Sequence, residues 1–349
     1  MKNNLLPLID KLTETHSLSL AEYECLITER NDEAAATLAE RAVRIRREIY
    51  GNSVYIRGLI EVSNICQNNC YYCGIRASNS ACERYRLTPD EILSCCEEGY
   101  ELGFRTFVMQ GGENAYFSDS LLCDLLREIK SRYLDCAVTL SLGERSRESY
   151  EKLYAAGADR YLLRHETANA EHYAKLHPAE LTHENRMRCL RDLREIGYQV
   201  GCGFMVGSPY QTNAMLAEDL KFVETFKPDM CGIGPFIPHK DTPFRDHPAG
   251  SVELTCYLLS ILRLIHPPLL LPSTTALGTL REDGREMGIL SGANVVMPNL
   301  SPTSVRRKYL LYNNKLSDGS ESAQCKANLA ARMRAIGYEI VCARGDIKK

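Results

Sequence analysis

The stretch Tyr55-Ile-Arg-Gly-Leu-Ile-Glu-Val62 reads as a strand, and it runs directly into Ser63-Asn-Ile-Cys66-Gln-Asn-Asn-Cys70-Tyr-Tyr-Cys73-Gly74. A short apolar run bounded by polar, turn-forming residues fits a strand buried on both faces. Downstream the pattern alternates. Thr88-Pro-Asp-Glu91 is a capping box for a helix that stops at Gly103. Further strands are read at 104–110, 136–141, 158–164, 199–205, 229–234, 269–275 and 293–297. Helices are read between them at 118–131, 146–157, 184–196, 212–226, 252–265 and 280–290. Such alternation means an α/β fold with a parallel sheet. Eight β/α units over about 250 residues have the size of a closed (β/α)8 TIM barrel, with an open doubly wound sheet as the alternative. Residues 1–50, helical at 21–29 and 32–50, make an N-terminal helical extension. Residues 51–349 then hold the barrel and a C-terminal helix at about 322–336. In such a barrel, chemistry gathers at the C-terminal ends of the strands.

Composition narrows the function. The chain has 349 residues, 42 Lys+Arg against 45 Asp+Glu, and 44% hydrophobic residues. That content excludes intrinsic disorder, and the net charge of −3 gives no electrostatic footprint for nucleic acid. No run reaches the roughly 18 apolar residues of a membrane span. The first thirty residues carry Asp10, Glu14, Glu22, Glu24 and Glu29 and no apolar core of a signal peptide, so a cytoplasmic protein is expected. Most of the 15 cysteines are scattered and read as reduced, buried thiols.

Cys66, Cys70 and Cys73 differ, because their spacing is C-x3-C-x2-C directly after the first strand. Tetrahedral zinc takes four ligands, and no second cysteine pair follows. A [4Fe–4S] cluster takes four cysteines as well. Three would leave one iron open to a small molecule, as a catalytic metal site keeps a vacancy. A zinc knuckle or a grouping of reduced thiols is the other reading. A closed electron carrier would need a fourth cysteine, for which Cys82 is the candidate.

The other strand exits are polar too. Gln110-Gly111-Gly112-Glu113 follows the second strand, and its glycines let backbone approach a ligand closely. Thr139-Leu-Ser141 ends the third, and Arg164-His-Glu-Thr167 the fourth. An Arg and a Glu leaving an apolar strand are costly unless paired with each other or used. His165 reads as a packed, hydrogen-bonded residue. Thr274-Thr275 ends the seventh strand and Met297-Pro-Asn299 the eighth.

These motifs resemble the radical S-adenosylmethionine (SAM) superfamily. The resemblance implies that Cys66, Cys70 and Cys73 hold a [4Fe–4S] cluster whose open iron chelates S-adenosyl-L-methionine. Reductive cleavage of SAM would then give a 5′-deoxyadenosyl radical. It also puts Tyr72, Gly111, Gly112, Glu113, Ser141, Arg164, Glu166 and Arg186 at SAM. Tyr72 would face the adenine, and the Gly-Gly-Glu stretch would hold the ammonium. A guanidinium at Arg186 could grip the carboxylate in bidentate fashion.

Longer strings are similar to the HydE family of [FeFe]-hydrogenase H-cluster maturases: Tyr161-Leu-Leu-Arg-His-Glu-Thr-Ala-Asn169, Gly232-Ile-Gly-Pro-Phe-Ile-Pro-His239 and Ser273-Thr-Thr-Ala276. This likeness implies work on the two-iron subcluster, with a cysteine-bound Fe(CO)(CN) complex delivered from HydG and product passed to HydF. An electron donor is a further implied partner. No nucleic acid or membrane is. The likeness puts Arg57, Gln110, Thr139, Thr274, Thr275, Met297 and Tyr309 around an internal cavity, with Arg57 pointing a fixed cation inward. A metabolite-acting enzyme of the methylornithine synthase or biotin synthase type is the alternative. The biotin-type route needs another cluster, and no ligand set for one is visible. Some HydE members bear a second iron–sulfur site from three C-terminal cysteines. Here Lys315-Leu-Ser-Asp-Gly-Ser-Glu-Ser-Ala-Gln-Cys325-Lys-Ala-Asn328 keeps Cys325 alone, so an ordinary thiol and no second cluster are expected.

Overall fold

In the computed structural model, which describes residues 4–317 and 322–348, the strand read at 55–62 is one stave interrupted at Arg57. Its halves are β1 (Ser53–Ile56) and β2 (Gly58–Ser63). β3 (Thr106–Gly111), β4 (Ala137–Ser141), β5 (Arg160–Leu162) and β6 (Gln199–Cys202) follow, each parallel to the one before. β7 (Met205–Val206) extends the fifth stave and β8 (Met230–Cys231) begins the sixth, which β9 (Gly234–Pro235) extends by pairing with β7. The seventh stave, at 269–272, joins by the parallel bridges Met230–Leu270 and Pro272–Val295 in place of a continuous ladder. β10 (Val295–Val296) then registers with Tyr55 and Ile56. The circle closes on itself, so the fold is the parallel barrel and not the open sheet.

The helices follow their sequence signals. Side-chain caps at Thr88 and Ser118 open α4 (Pro89–Glu101) and α5 (Asp119–Arg132), counting after the N-terminal α1 (Leu6–Thr15), α2 (Leu20–Thr28) and α3 (Asp32–Tyr50). The Thr88–Glu91 capping box is formed in both directions. α6 (Arg147–Ala155), α7 (Ala170–Leu176), α8 (His183–Ile196), α9 (Asn213–Phe226) and α10 (Val252–Ile265) continue around the barrel. α10 is buried along nearly its whole length. It packs on α1 and α3 outside and on the barrel inside, so the side chains from Leu5 to Ile45 share one core with the staves. α11 (Thr275–Leu280), α12 (Gly284–Leu290), α13 (Thr303–Arg306) and α14 (Lys326–Ala335) complete the set.

Four elements were not read from the sequence. Three are short helices: α7, opened by the Asn169 side chain, α11 and α13. The fourth is β11 (Glu339–Val341), which pairs parallel to β1 and leads the chain under the barrel. There Arg344 O accepts from Thr106 Oγ1 and from Arg160 Nη2, and Gly345 O accepts from Arg57 Nη2 at 3.2 Å. This corrects the expectation for Arg57. Its buried guanidinium sits at the closed end, between Met230 Sδ and the tail, and does not line the cavity. The backbone runs on through this position, with Arg57 N donating to Val296 O, and the tail carbonyl offers the buried guanidinium a polar partner. No helix among the described residues is long and apolar enough to cross a membrane.

Candidate active site

A cavity of about 360 Å³ opens at the strand exits, a size suited to a small ligand. Its first wall is the cysteine loop. Residues 64–85 have almost no regular structure, and two side chains hold them in place. Arg84 donates to the carbonyls of Asn64, Ile75, Arg76 and Asn79 at 2.6–3.1 Å. Asn64 Nδ2 donates to Glu83 O and Lys308 O, while its Oδ1 accepts from Tyr85 N at 2.8 Å. Neither Arg84 nor Asn64 was picked out by sequence reasoning. The loop so fixed turns Cys66, Cys70 and Cys73 to the cavity.

The second wall is the Gln110–Glu113 turn. Gln67 N donates to Glu113 O at 2.8 Å, which ties this turn to the cysteine loop. The approach is so close that a Cβ on Gly112 would stand 2.4 Å from Ile65 O and 2.7 Å from Cys66 Cβ. Gly143, at φ +77, leaves room in the same way for the Glu113 carboxyl. Burial raises the pKa of that carboxyl, against the pull of the Arg186 cation.

The third wall carries the charged side chains. Arg164 and Glu166 form an ion pair at 3.3 Å across the fourth stave's exit. Glu166 adopts φ +66, a strained conformation for a side chain of this kind, held by its N–H to Gly203 O. Arg186 Nε donates to Glu144 Oε1 at 2.6 Å and Nη1 to Arg164 O at 2.5 Å. The phenol of half-buried Tyr72 meets His177 Nε2 at 3.1 Å. Burial lowers the His177 pKa to about 3, so its ring is neutral. His165 is likewise lowered to about 3 by burial and accepts from Gly203 N, as a packed histidine should.

Of the side chains assigned to substrate, Gln110, Thr274, Thr275, Met297 and Tyr309 line the cavity. Thr139 is buried and does not, and Arg57 lies at the closed end. Ser141 lines the wall beside Gly143. Sequence reasoning missed Glu61 and Lys315, which both line the cavity and pair at 2.7 Å. A charged residue inside the Leu-Ile-Glu-Val run was the available signal for Glu61.

The donor set fits an iron–sulfur cluster. The three thiols are free and share one wall. Among the described residues no His, Cys, Asp and Glu group converges on a single ion. A cluster asks for something else, because each thiolate takes its own iron. Burial pushes the Cys73 pKa up to about 12 and raises those of Cys66 and Cys70, so the thiolate form requires a cationic partner. Cys82 does not line the cavity, and its Sγ instead accepts from Asn64 Nδ2. Polar atoms wait on the facing wall. Arg164 Nε is buried with no hydrogen-bond partner among the described residues, and Arg164 Nη2 and Glu166 Oε2 face each other in their ion pair without a hydrogen bond of good geometry.

The sequence profile of the Radical SAM superfamily matches residues 60–223. The chain is 46% identical over 288 residues to the [FeFe] hydrogenase maturase subunit HydE of Thermotoga maritima, covering 82% of each. The chain belongs to the radical SAM superfamily, within the HydE family. It is 27% identical to 3-methylornithine synthase of Methanosarcina barkeri, over 88% of this chain and 87% of that one. The solved methylornithine synthase PylB superposes with a TM-score of 0.83 at 25% identity, covering 95% of this chain and 96% of that one. A HydG structure shares the fold with a TM-score of 0.80 at 22% identity, covering 97% of this chain and 76% of that one. As a radical SAM enzyme the chain uses a [4Fe–4S] cluster and SAM. Of the C-terminal stretch read as lacking a second cluster, residues 318–321 lie outside the described residues, and Cys325 is a half-buried free thiol.

Proposed function

We propose that this radical SAM enzyme acts in maturation of the [FeFe]-hydrogenase H-cluster, on a cysteine-bound Fe(CO)(CN) precursor of the two-iron subcluster. One observation carries the reading. The cysteine triplet and every side chain assigned to SAM line a single cavity in a chain that is 46% identical to a HydE. Cys66, Cys70 and Cys73 would hold the cluster. When bound, cluster and SAM supply a carbon radical by one-electron cleavage of the sulfonium. The chain's own residues bind and orient. Arg186 is fixed through two of its three nitrogens, which leaves Nη2 for the SAM carboxylate. Glu113 and the Gly111–Gly112 backbone suit its ammonium. Tyr72, steadied by His177, offers a ring to the adenine. Ser141, Arg164 and Glu166 complete the SAM wall, where the Arg164 guanidinium suits a carboxylate oxygen and the Glu166 carboxylate a ribose hydroxyl. Gln110, Thr274, Thr275, Met297 and Tyr309 form the substrate half, where neutral donors leave a metal-bound cyanide its charge. Met205, Phe236 and Ile237 make an apolar wall that keeps water from a radical.

HydG as the source, HydF as the recipient and a one-electron donor are the partners this reading implies. In vitro maturation of apo-hydrogenase with HydG and HydF tests it. Hydrogenase activity should appear when this chain is present and fail when it is omitted or carries Cys70→Ala. Full maturation without the chain would refute the reading. SAM cleavage on an amino acid with no effect on maturation would favour the methylornithine-type alternative, which the likeness in sequence and fold supports.

A further inference from the structure

Glu61 stands in the cavity wall on β2, and Lys315 reaches it from a segment 254 residues away in sequence. Their side chains are 0% and 7% exposed, and Nζ donates to Oε1 at 2.7 Å. The other carboxylate oxygen accepts from Asn299 Nδ2 at 2.9 Å. The Lys315 ammonium lies 5.4 Å from the centre of the Tyr309 ring. A lysine has three N–H donors, and among the described residues Glu61 is the hydrogen-bond partner of this one. Burying such a pair costs more than its attraction returns unless further contacts complete it. Here the pair forms part of a ligand cavity wall.

The charges themselves select what could complete it. A lone anion drawn to Lys315 would meet the Glu61 carboxylate. A lone cation drawn to Glu61 would meet the Lys315 ammonium. A neutral polar group could hydrogen-bond to one of the two but would balance neither charge. A ligand with an ammonium and a carboxylate side by side satisfies both at once, each charge facing its opposite. Within an α-amino acid those two groups are fixed side by side, so one ligand presents a charge to each member of the pair. The site lies beside Gln110, the register partner of Glu61, and beside Tyr309.

We infer that Glu61 and Lys315 form a zwitterion clamp that recognises the α-ammonium and α-carboxylate of an amino-acid moiety in the substrate. Glu61 takes the ammonium, Lys315 takes the carboxylate, and the internal pair opens to admit them. Asn299 holds the Glu61 carboxylate in place as the pair opens. The inference deepens the function proposed above by naming the part of the substrate that is gripped, and it rests on that reading for the use of this cavity.

Calorimetry on the cluster-reconstituted protein with SAM bound tests the clamp. The probes are S-methyl-L-cysteine, methylthiopropionate, which lacks the amine, and methylthioethylamine, which lacks the carboxylate. The native chain should prefer S-methyl-L-cysteine to either analogue by about tenfold or more, the usual worth of a charge-assisted hydrogen bond. Lys315→Met should erase the preference over methylthioethylamine, and Glu61→Gln the preference over methylthiopropionate. Each single variant leaves a buried charge alone, so Glu61→Gln with Lys315→Met serves as the neutral control. It should fold, hold its cluster absorption and prefer none of the three. A preference that survives in the double variant, or that is missing in the native chain, overturns the clamp. Failed hydrogenase maturation with the preference intact would overturn the maturase reading and leave the clamp standing.

Discussion

Asp346 Oδ1 lies 2.5 Å from Nη2 of the fully buried Arg160, so the last described residues of the chain close the N-terminal end of the barrel. Burial works against the Asp346 carboxylate, yet hydrogen bonds from Arg344 and Gln199 and the Arg160 charge hold its pKa well below the usual value. A depressed carboxylate adds stability above its unfolded pKa, near 4, and loses it as the pH falls toward the folded value. The side chain is over a third exposed, so after screening the contribution is about 1 kcal/mol. Asp346→Asn should therefore lower stability at pH 7 by about that amount and by less at pH 3.5. Urea unfolding at the two values checks it. An equal loss at both would mean that the charge is not the cause.

The cradle between Gly112 and Cys66 gives a second prediction. Gly112→Ala puts a methyl into backbone that has no space for it. The clash is with Ile65 O and Cys66 Cβ, neither of which is the free end of a flexible side chain. The cysteine loop must move, so iron bound after anaerobic reconstitution should drop by half or more. Far-ultraviolet circular dichroism should stay native, because the clash falls past the end of β3 and on the cysteine loop, which has almost no regular structure. A variant with full iron content would show the cradle to be tolerant.

A third prediction separates Cys82 from the triplet. Its thiol lies off the cavity wall, so Cys82→Ser should keep native iron content and SAM cleavage. Cys70→Ala should lose essentially all cleavage. Iron analysis and 5′-deoxyadenosine measured by chromatography distinguish the two. Loss of the cluster in Cys82→Ser would mean a fourth protein ligand and a closed iron site.

The barrel was legible because its signals are local. Capping boxes, apolar runs and strand-end glycines mark each unit within a few residues. The triplet was legible for the same reason, since its spacing is read off one loop. The seventh stave is weaker than its apolar run suggests. It is four residues long and ends at Pro272, which has no N–H to donate, so it joins each neighbour by a single bridge. What the sequence hid is non-local. Arg57 has the alternation of an inward residue, and nothing near it reveals that Gly345 will meet it from below. Glu61 could be flagged as odd in an apolar strand, but its partner Lys315 sits in a stretch with no strand or helix period. α7 was missed because its seven residues are too few for a period to emerge.

Arg186 supports a prediction that depends on the shape of the guanidinium. Its Nε and Nη1 are committed to Glu144 and to the Arg164 carbonyl, and both contacts turn its plane toward the cavity. Lysine carries the same charge on a single nitrogen, which cannot hold those two partners and still face a ligand carboxylate. Arg186→Lys should thus weaken SAM binding by about tenfold, the loss of one charge-assisted hydrogen bond. Glu144→Gln keeps an acceptor for Nε at the same place and gives up the charge and the second acceptor, which faces Asn185 and not the ligand, so its effect on SAM should be smaller. Binding is read by the change in the cluster's electron paramagnetic resonance spectrum as SAM is titrated. If lysine binds SAM as well as arginine does, the forked geometry is irrelevant and charge alone holds the cofactor.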